Sequence, residues 1–255
     1  HGDVNGISYE LIIKLLAENR ICELCVPILY GSPKVAAYYR KVLNVENFSL
    51  NTIREPGEAN GKRSNIINCV DDNVKVDLGK ETPESDQAAM IALKYALDQL
   101  DRDEIDVLTL APQGPNTFSS EETGSLVEYL TKRYNTSDIM SILVSEKMKM
   151  GFVTEQVKLR DVPHQITQKN IFKKLTLLDD TLRLDFTIRK PKIAVLGLNP
   201  QVNCEQNGDE EANIIVPAIE RARQNGIMAI GPFPAERFFS ERMYEKFDAV
   251  LAMYY

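Results

Sequence analysis

Histidine is nearly absent: the 255 residues contain two, His1 and His164. Because histidine is the commonest metal ligand and the usual general base near neutral pH, its scarcity narrows the chemistry open to the chain. Cysteine is sparse as well. Cys22, Cys25, Cys69 and Cys204 do not form the paired doublets of a structural zinc site, and four thiols are too few for a disulfide framework at this length. Cys22 and Cys25 share a C-x-x-C spacing, but they lie where a helix end is expected to run into a buried strand, which makes them small packing residues rather than a redox or metal pair. No stretch approaches the roughly 20 consecutive apolar residues of a membrane span, and no apolar segment follows a basic N-terminal region as in a secretory signal. A cytoplasmic location is the default expectation. The formal net charge is −7, with both signs interspersed, so no dense positive face exists to neutralise a nucleic-acid backbone.

What is present is an ordinary globular composition, 44% hydrophobic and 26% charged, enough for one large α/β unit or two smaller lobes. Apolar runs of strand length alternate with amphipathic stretches of helical length, the pattern of parallel strands crossed by helices. Strands are expected at Pro27–Tyr30, Ser64–Asn68, Val107–Ala111, Ile139–Val144, Met150–Thr154, Ile193–Leu198, Met228–Gly231 and Ala249–Met253. Helices are expected at Ser8–Glu18, Lys34–Val42, Ser85–Leu100, Ser120–Tyr134, Thr167–Arg183, Ile214–Gln224 and Ser240–Lys246, with Ser85 and Thr167 as capping hydroxyls. Asn51–Lys62, polar and carrying Pro56, Gly57 and Gly61, reads as an exposed loop. The chain opens on a turn-like His1-Gly2-Asp3 without methionine and stops inside a strand-like run, so it is expected to be trimmed at both ends. Lobe boundaries are expected near Ala111-Pro112 and Lys190-Pro191, giving 1–111 and 191–255 as first and closing segments around a middle lobe, 112–190.

Several segments, in order, resemble one family. His1-Gly2-Asp3-Val4-Asn5-Gly6-Ile7 is similar in part to a Gly-Asp-Pro-x-Gly-Ile-Gly-Pro-Glu turn, and Pro27–Pro33 to the strand and turn that follow it. Ile193-Ala194-Val195-Leu196-Gly197-Leu198-Asn199-Pro200 resembles Val-Leu-Gly-Leu-Asn-Pro-His. At matching distances come Ile214–Ile219, then Gly231-Pro232-Phe233-Pro234-Ala235, then Asp248-Ala249-Val250-Leu251-Ala252-Met253-Tyr254. The chain is thereby identified as similar to the 4-hydroxythreonine-4-phosphate dehydrogenase (PdxA) family. The resemblance implies two α/β lobes flanking an active-site cleft, similar in fold to isocitrate dehydrogenase, and a homodimer. It further implies NAD as hydride acceptor, a small phosphorylated substrate, 4-phosphooxy-L-threonine, and a divalent metal, zinc or magnesium, held by three histidines. The fold has no G-x-G-x-x-G fingerprint, and none is present here.

Carried over residue by residue, the resemblance puts the three metal-ligand positions at Gln156, Gln201 and Tyr255. A glutamine carbonyl is a weak neutral ligand, and a phenol must lose a proton of pKa about 10 before it binds metal well. Glu155 and Glu205 are weighed as carboxylates for a magnesium-like site and read as solvated surface residues instead. The family's Gly-His-Thr-Glu substrate segment corresponds to Gly124-Ser125-Leu126-Val127-Glu128, so Gly124 and Ser125 are the candidate substrate contacts and the histidine is missing. The lysine expected after the Ala-Pro turn is also missing from Ala111–Asn116. His164 falls off the ligand positions, in a loop before a helix, and Asn5 is a further candidate pocket residue.

Two functions follow from these residues. One is an NAD-dependent dehydrogenase and decarboxylase of the family, acting on 4-phosphooxy-L-threonine or a related phosphorylated hydroxy acid with impaired activity. The other is a non-catalytic homologue that serves as a binding or regulatory protein, since groups that act as a unit lose their chemistry together.

Overall fold

The computed structural model describes residues 1–18, 20–71, 74–119, 123–155, 157–202 and 209–255. They divide into two compact units, His1–Arg133 and Tyr134–Tyr255. The lobe boundaries expected at 111/112 and 190/191 do not coincide with this division.

In the first unit, α1 (Ser8–Leu16), α2 (Ile21–Leu24), β1 (Ile28–Gly31), α3 (Pro33–Val42), β2 (Asn51–Ile53), β3 (Asn65–Asn68), α4 (Pro83–Leu100) and α5 (Leu126–Tyr134) follow one another. The strands form a parallel sheet in the order β1-β3-β2. Side chains alternate across a strand, so neighbours serve opposite cores. Leu29 and Ile66 meet Tyr9 and Ile13 of α1 and Val35, Ala36 and Tyr39 of α3, whereas Tyr30, Ile53 and Ile67 meet α4. Helix α4 presents Ala88, Ala92 and Ala96 to the sheet, a small-residue row at i, i+4, i+8 that admits close approach. Its other apolar row, Met90, Leu93 and Leu97, packs on Phe118 and Tyr129.

In the second unit, β4 (Ile142–Val144), β5 (Lys149–Thr154), α6 (Val162–Gln165), α7 (Gln168–Leu184), β6 (Lys192–Leu196), α8 (Val216–Gln224), β7 (Met228–Phe233), α9 (Ala235–Ser240) and β8 (Ala249–Tyr254) build a five-stranded sheet, order β4-β5-β8-β6-β7. Segments 112–190 and 191–255 therefore share one sheet. On one face Ile171, Leu175, Leu178 and Leu182 of α7 and Ala218, Ile219 and Ala222 of α8 bury Ile193, Val195 and Leu251. On the other, Phe238 of α9 sits with Phe152, Ala194, Leu196 and Val250. All pairings are parallel except β4–β5, because only four residues separate those strands and a parallel crossover needs a dozen or more.

The departures from expectation have local causes. Val107–Ala111 forms no strand: Val107 is 74% exposed, and Leu108 and Leu110 pack against the α4 cores from an unpaired extended run. Asn51–Lys62 is not a loop throughout, since Asn51–Ile53 pairs with β3 and buries Ile53; three residues are too few for periodicity to reveal. Helix α4 begins earlier than Ser85, with Thr82 as cap (Oγ1 accepting from Ser85 N at 3.3 Å) and Pro83 in its first turn. Thr167 caps α7 as expected, accepting from Asn170 N at 3.2 Å. The expected helix Ser240–Lys246 is instead a 3-10 turn, Met243–Lys246, separated from α9 by Arg242 in left-handed backbone at φ 54°. Helix α5 starts at Leu126 rather than Ser120, which is outside the described residues. Among the described residues no helix is long and apolar enough to cross a membrane.

The α1–β1 junction hangs on one hydroxyl. Tyr9, wholly buried, accepts from Ser32 N at 3.0 Å and bonds His1 Nδ1 at 2.8 Å. Removing it leaves the buried Ser32 N–H without that acceptor. Tyr9→Phe is expected to destabilise the protein by about 1–3 kcal/mol in urea denaturation; an unchanged midpoint would show that the hydroxyl is dispensable.

Candidate functional site

Parallel neighbours in a sheet release their chains at the same edge. Strands β5, β8 and β6 are consecutive in the sheet, with Thr154 opposite Tyr254 and Val195 opposite Leu251. The segments that leave them, beginning at Glu155, Tyr255 and Gly197, therefore emerge side by side. The expected ligand positions follow those three strands. Gln156 lies outside the described residues, as do Glu205 and Cys204. Gln201 is exposed and borders a crevice with Pro200, Val202, Glu236, Arg237 and Ser240. Tyr255 is 81% exposed and sets its ring edge-on to Phe152, with centroids 5.1 Å apart.

The edge is held by polar contacts on either side of these positions. Thr154 Oγ1 donates to the Met253 carbonyl at 2.9 Å and ties the end of β5 to β8. Glu155 is not a solvated surface residue: it is largely buried, accepts from Ser141 N at 3.1 Å and from the Ser141 hydroxyl, and faces Lys174 Nζ at 3.4 Å. Its oxygens are thus committed to structure. After β6, the turn Gly197–Asn199 is gripped by Glu211, which is 4% exposed and accepts from Leu198 N and Asn199 N, each at 2.8 Å, and from Asn199 Nδ2 at 3.0 Å. Glu211 escaped sequence reading because an acidic residue at a helix start reads as an ordinary favourable charge.

Donor chemistry decides what the edge can hold. Gln201 offers a neutral amide and Tyr255 a phenol, and among the described residues no group of three His, Cys, Asp or Glu side chains could hold a metal ion. These residues do not fit a tightly bound transition metal, which needs imidazole, thiolate or carboxylate donors.

Gly124 and Ser125 lie in the first unit, at the start of α5. Ser125 Oγ accepts from Glu128 N at 3.2 Å, its carbonyl accepts from Tyr129 N at 3.0 Å, and Gly124 N donates to Glu128 Oε2 at 2.6 Å. This is a capping-box arrangement, with the acidic return bond one residue early. Asn5, 2% exposed, is committed to internal hydrogen bonds: Oδ1 accepts from Asp77 N at 2.7 Å and Nδ2 donates to Thr82 Oγ1 at 3.0 Å. His164 is exposed and sits in the one-turn helix α6, not in a loop. The C-x-x-C pair is likewise not buried packing. Cys25 is exposed, Cys22 half-buried, and both are free thiols, because α2 is a surface turn with no buried residue. Burial pushes the Cys69 thiol up to about 11.

Comparison with known proteins follows this geometry. The family model described as pyridoxal phosphate biosynthetic protein PdxA matches residues 23–255. A 4-hydroxythreonine-4-phosphate dehydrogenase of Bacteroides thetaiotaomicron is 39% identical to this chain, covering 100% of it and 71% of that protein. Another from a Sulfurihydrogenibium species is 30% identical, with coverage of 100% and 78%. The crystal structure of 4-hydroxythreonine-4-phosphate dehydrogenase from Klebsiella pneumoniae superposes with a TM-score of 0.85 at 25% identity, covering 100% of this chain and 78% of that one.

Two measurements check the roles given to these side chains. Ser125→Ala is expected to cost about 1 kcal/mol of stability, the value of a lost helix cap, without altering small-molecule affinity in calorimetry. In thiol labelling of the native protein at neutral pH, Cys25 is expected to react quickly and Cys69 only on unfolding, because its thiolate is scarce far below a pKa of about 11.

Proposed function

The chain belongs to the PdxA family of pyridoxal phosphate biosynthetic proteins, and on that premise we propose that it is an NAD-linked dehydrogenase of a small phosphorylated hydroxy acid whose metal-assisted step is strongly weakened. The substrate is 4-phosphooxy-L-threonine or a close relative, and the protein works as a cytoplasmic homodimer. The observation that carries this reading is the donor set at the edge of the second sheet, where Gln201 and Tyr255 follow β6 and β8.

Oxidation would take the proton from the 3-hydroxyl and pass hydride from its carbon to NAD, and the resulting β-keto acid would lose carbon dioxide to leave an enolate. Deprotonation of the hydroxyl and decarboxylation would each place negative charge on the same oxygen. A cation there lowers the barrier through charge that neutral groups do not carry. In this chain the Gln201 amide and the Tyr255 hydroxyl supply neutral hydrogen-bonding groups, and a neutral donor stabilises a developing oxyanion less than a divalent ion does. A second reading is a non-catalytic homologue that serves as a binding or regulatory protein, favoured by the commitment of the candidate substrate contacts Asn5 and Ser125 to internal hydrogen bonds.

The test is NADH formation from 4-phosphooxy-L-threonine by the dialysed protein, alongside a histidine-bearing relative. The expected rate is on the order of 100-fold or more below that relative, the scale of losing a main oxyanion stabiliser, and is unaffected by chelator or added zinc. Turnover that matches the relative and disappears on chelation would overturn the proposal; NAD binding with no turnover would select the second reading.

A further inference from the structure

The segments leaving β6 and β7 turn to opposite faces of the second sheet. The chain leaving β6 enters α8, which covers the face carrying Ile193 and Val195, whereas the chain leaving β7 enters α9, whose Phe238 covers the face carrying Ala194 and Leu196. Between them lies a crevice beyond the carboxyl ends of the strands, the end of an open α/β sheet at which ligands bind. Here the crevice has Pro200, Gln201 and Val202 on the β6 side and Glu236, Arg237 and Ser240 on the β7 side.

The wall on the β6 side is a turn with little intrinsic reason to hold one shape. Its backbone N–H groups at Leu198 and Asn199 point away from any strand partner and end on Glu211 Oε1, while Asn199 Nδ2 is shared between Glu211 Oε2 at 3.0 Å and Glu210 Oε2 at 3.1 Å. Gly197 is required for this closeness. A Cβ there would stand 3.1 Å from Glu211 Oε1 and 2.5 Å from Val202 Cγ1. Glu211 itself opens a π-helical turn, Glu211–Ile215, ahead of α8; such turns recur at functional sites because they re-aim one side chain.

We propose that Glu211 is a positioning residue: it fixes the Gly197–Asn199 turn by three hydrogen bonds and so presents Gln201 to the β6/β7 crevice, where the small-molecule substrate binds. This rests on the reading above that the sheet edge is the substrate site. Glu211 touches no ligand in this role. Its effect passes through the turn, so it governs affinity at the crevice rather than the stability of the sheet beneath.

Three variants separate positioning from mere structure. Glu211→Ala removes both acceptor oxygens and with them all three hydrogen bonds; Glu211→Gln keeps one carbonyl that can serve Leu198 N and Asn199 N. Asp179→Ala removes an equally buried carboxylate, paired with Arg183 at 2.6 Å on α7, away from the crevice. Backbone hydrogen exchange read by NMR is expected to accelerate about tenfold or more at Leu198 and Asn199 in Glu211→Ala, with Lys192–Leu196 unchanged. Binding of 4-phosphooxy-L-threonine by calorimetry is expected to weaken by about the same factor, to be largely rescued in Glu211→Gln, and to be untouched in Asp179→Ala despite its lower stability. Unchanged exchange in Glu211→Ala, or equal loss of affinity in Asp179→Ala, overturns the proposal. Absence of binding by the unsubstituted protein overturns the functional reading instead, and the exchange pattern then decides by itself whether Glu211 orders the turn.

Discussion

Strands β5, β8 and β6 run parallel and side by side, and hydrogen bonding at their fixed spacing leaves their chains no choice but to emerge together at one edge. Everything proposed about this protein follows from that adjacency. Glu155, Gly197 and Tyr255 begin segments that are far apart in sequence and leave neighbouring strands at the same end of the sheet. The two cores that clamp the sheet, α7 and α8 on one face and the phenylalanine cluster around Phe238 on the other, make the edge rigid.

On that edge the scaffold and the donors tell different stories. The contacts that shape it are complete: Thr154 to the Met253 carbonyl, Glu155 to Ser141 and Lys174, Glu211 to the Gly197–Asn199 turn. The groups presented by it are neutral at Gln201 and Tyr255. On the proposed reading the frame serves small-molecule binding, while a neutral donor set would lack the strong field that stabilises charge on a reacting oxygen. Loss of ligands without loss of frame is what selection for binding, or for slow turnover, would leave behind.

Much of this was legible in the sequence, for identifiable reasons. Long amphipathic segments such as α4 and α7 declare themselves by period, and β6, β7 and β8 by buried apolar runs between turn residues. The order of short motifs from His1 to Tyr255 gave the family, and the motif ends set the expected ligand positions. What stayed hidden depends on tertiary partners. Asn51–Ile53 is a strand only because β3 lies beside it, whereas Val107–Ala111 joins no ladder among the described residues. The internal commitments of Asn5 and Glu155 follow from neighbours 72 or more and 14 or more residues away, which no local pattern records, whereas the Ser125–Glu128 cap is a local signature. Glu211 was invisible for the same reason: its partners lie across a turn, 12 and 13 residues back.

The central claim is that the frame is intact and only the donors are gone. Its most direct test is a zinc titration of the unsubstituted protein against the triple variant Gln156→His, Gln201→His, Tyr255→His, followed by calorimetry. The account predicts that the parent takes up no stoichiometric zinc and that the variant binds one ion per chain at least about 1,000-fold more tightly, as three imidazoles replace weak donors. Tight stoichiometric zinc in the parent, or none in a folded triple variant, would contradict it.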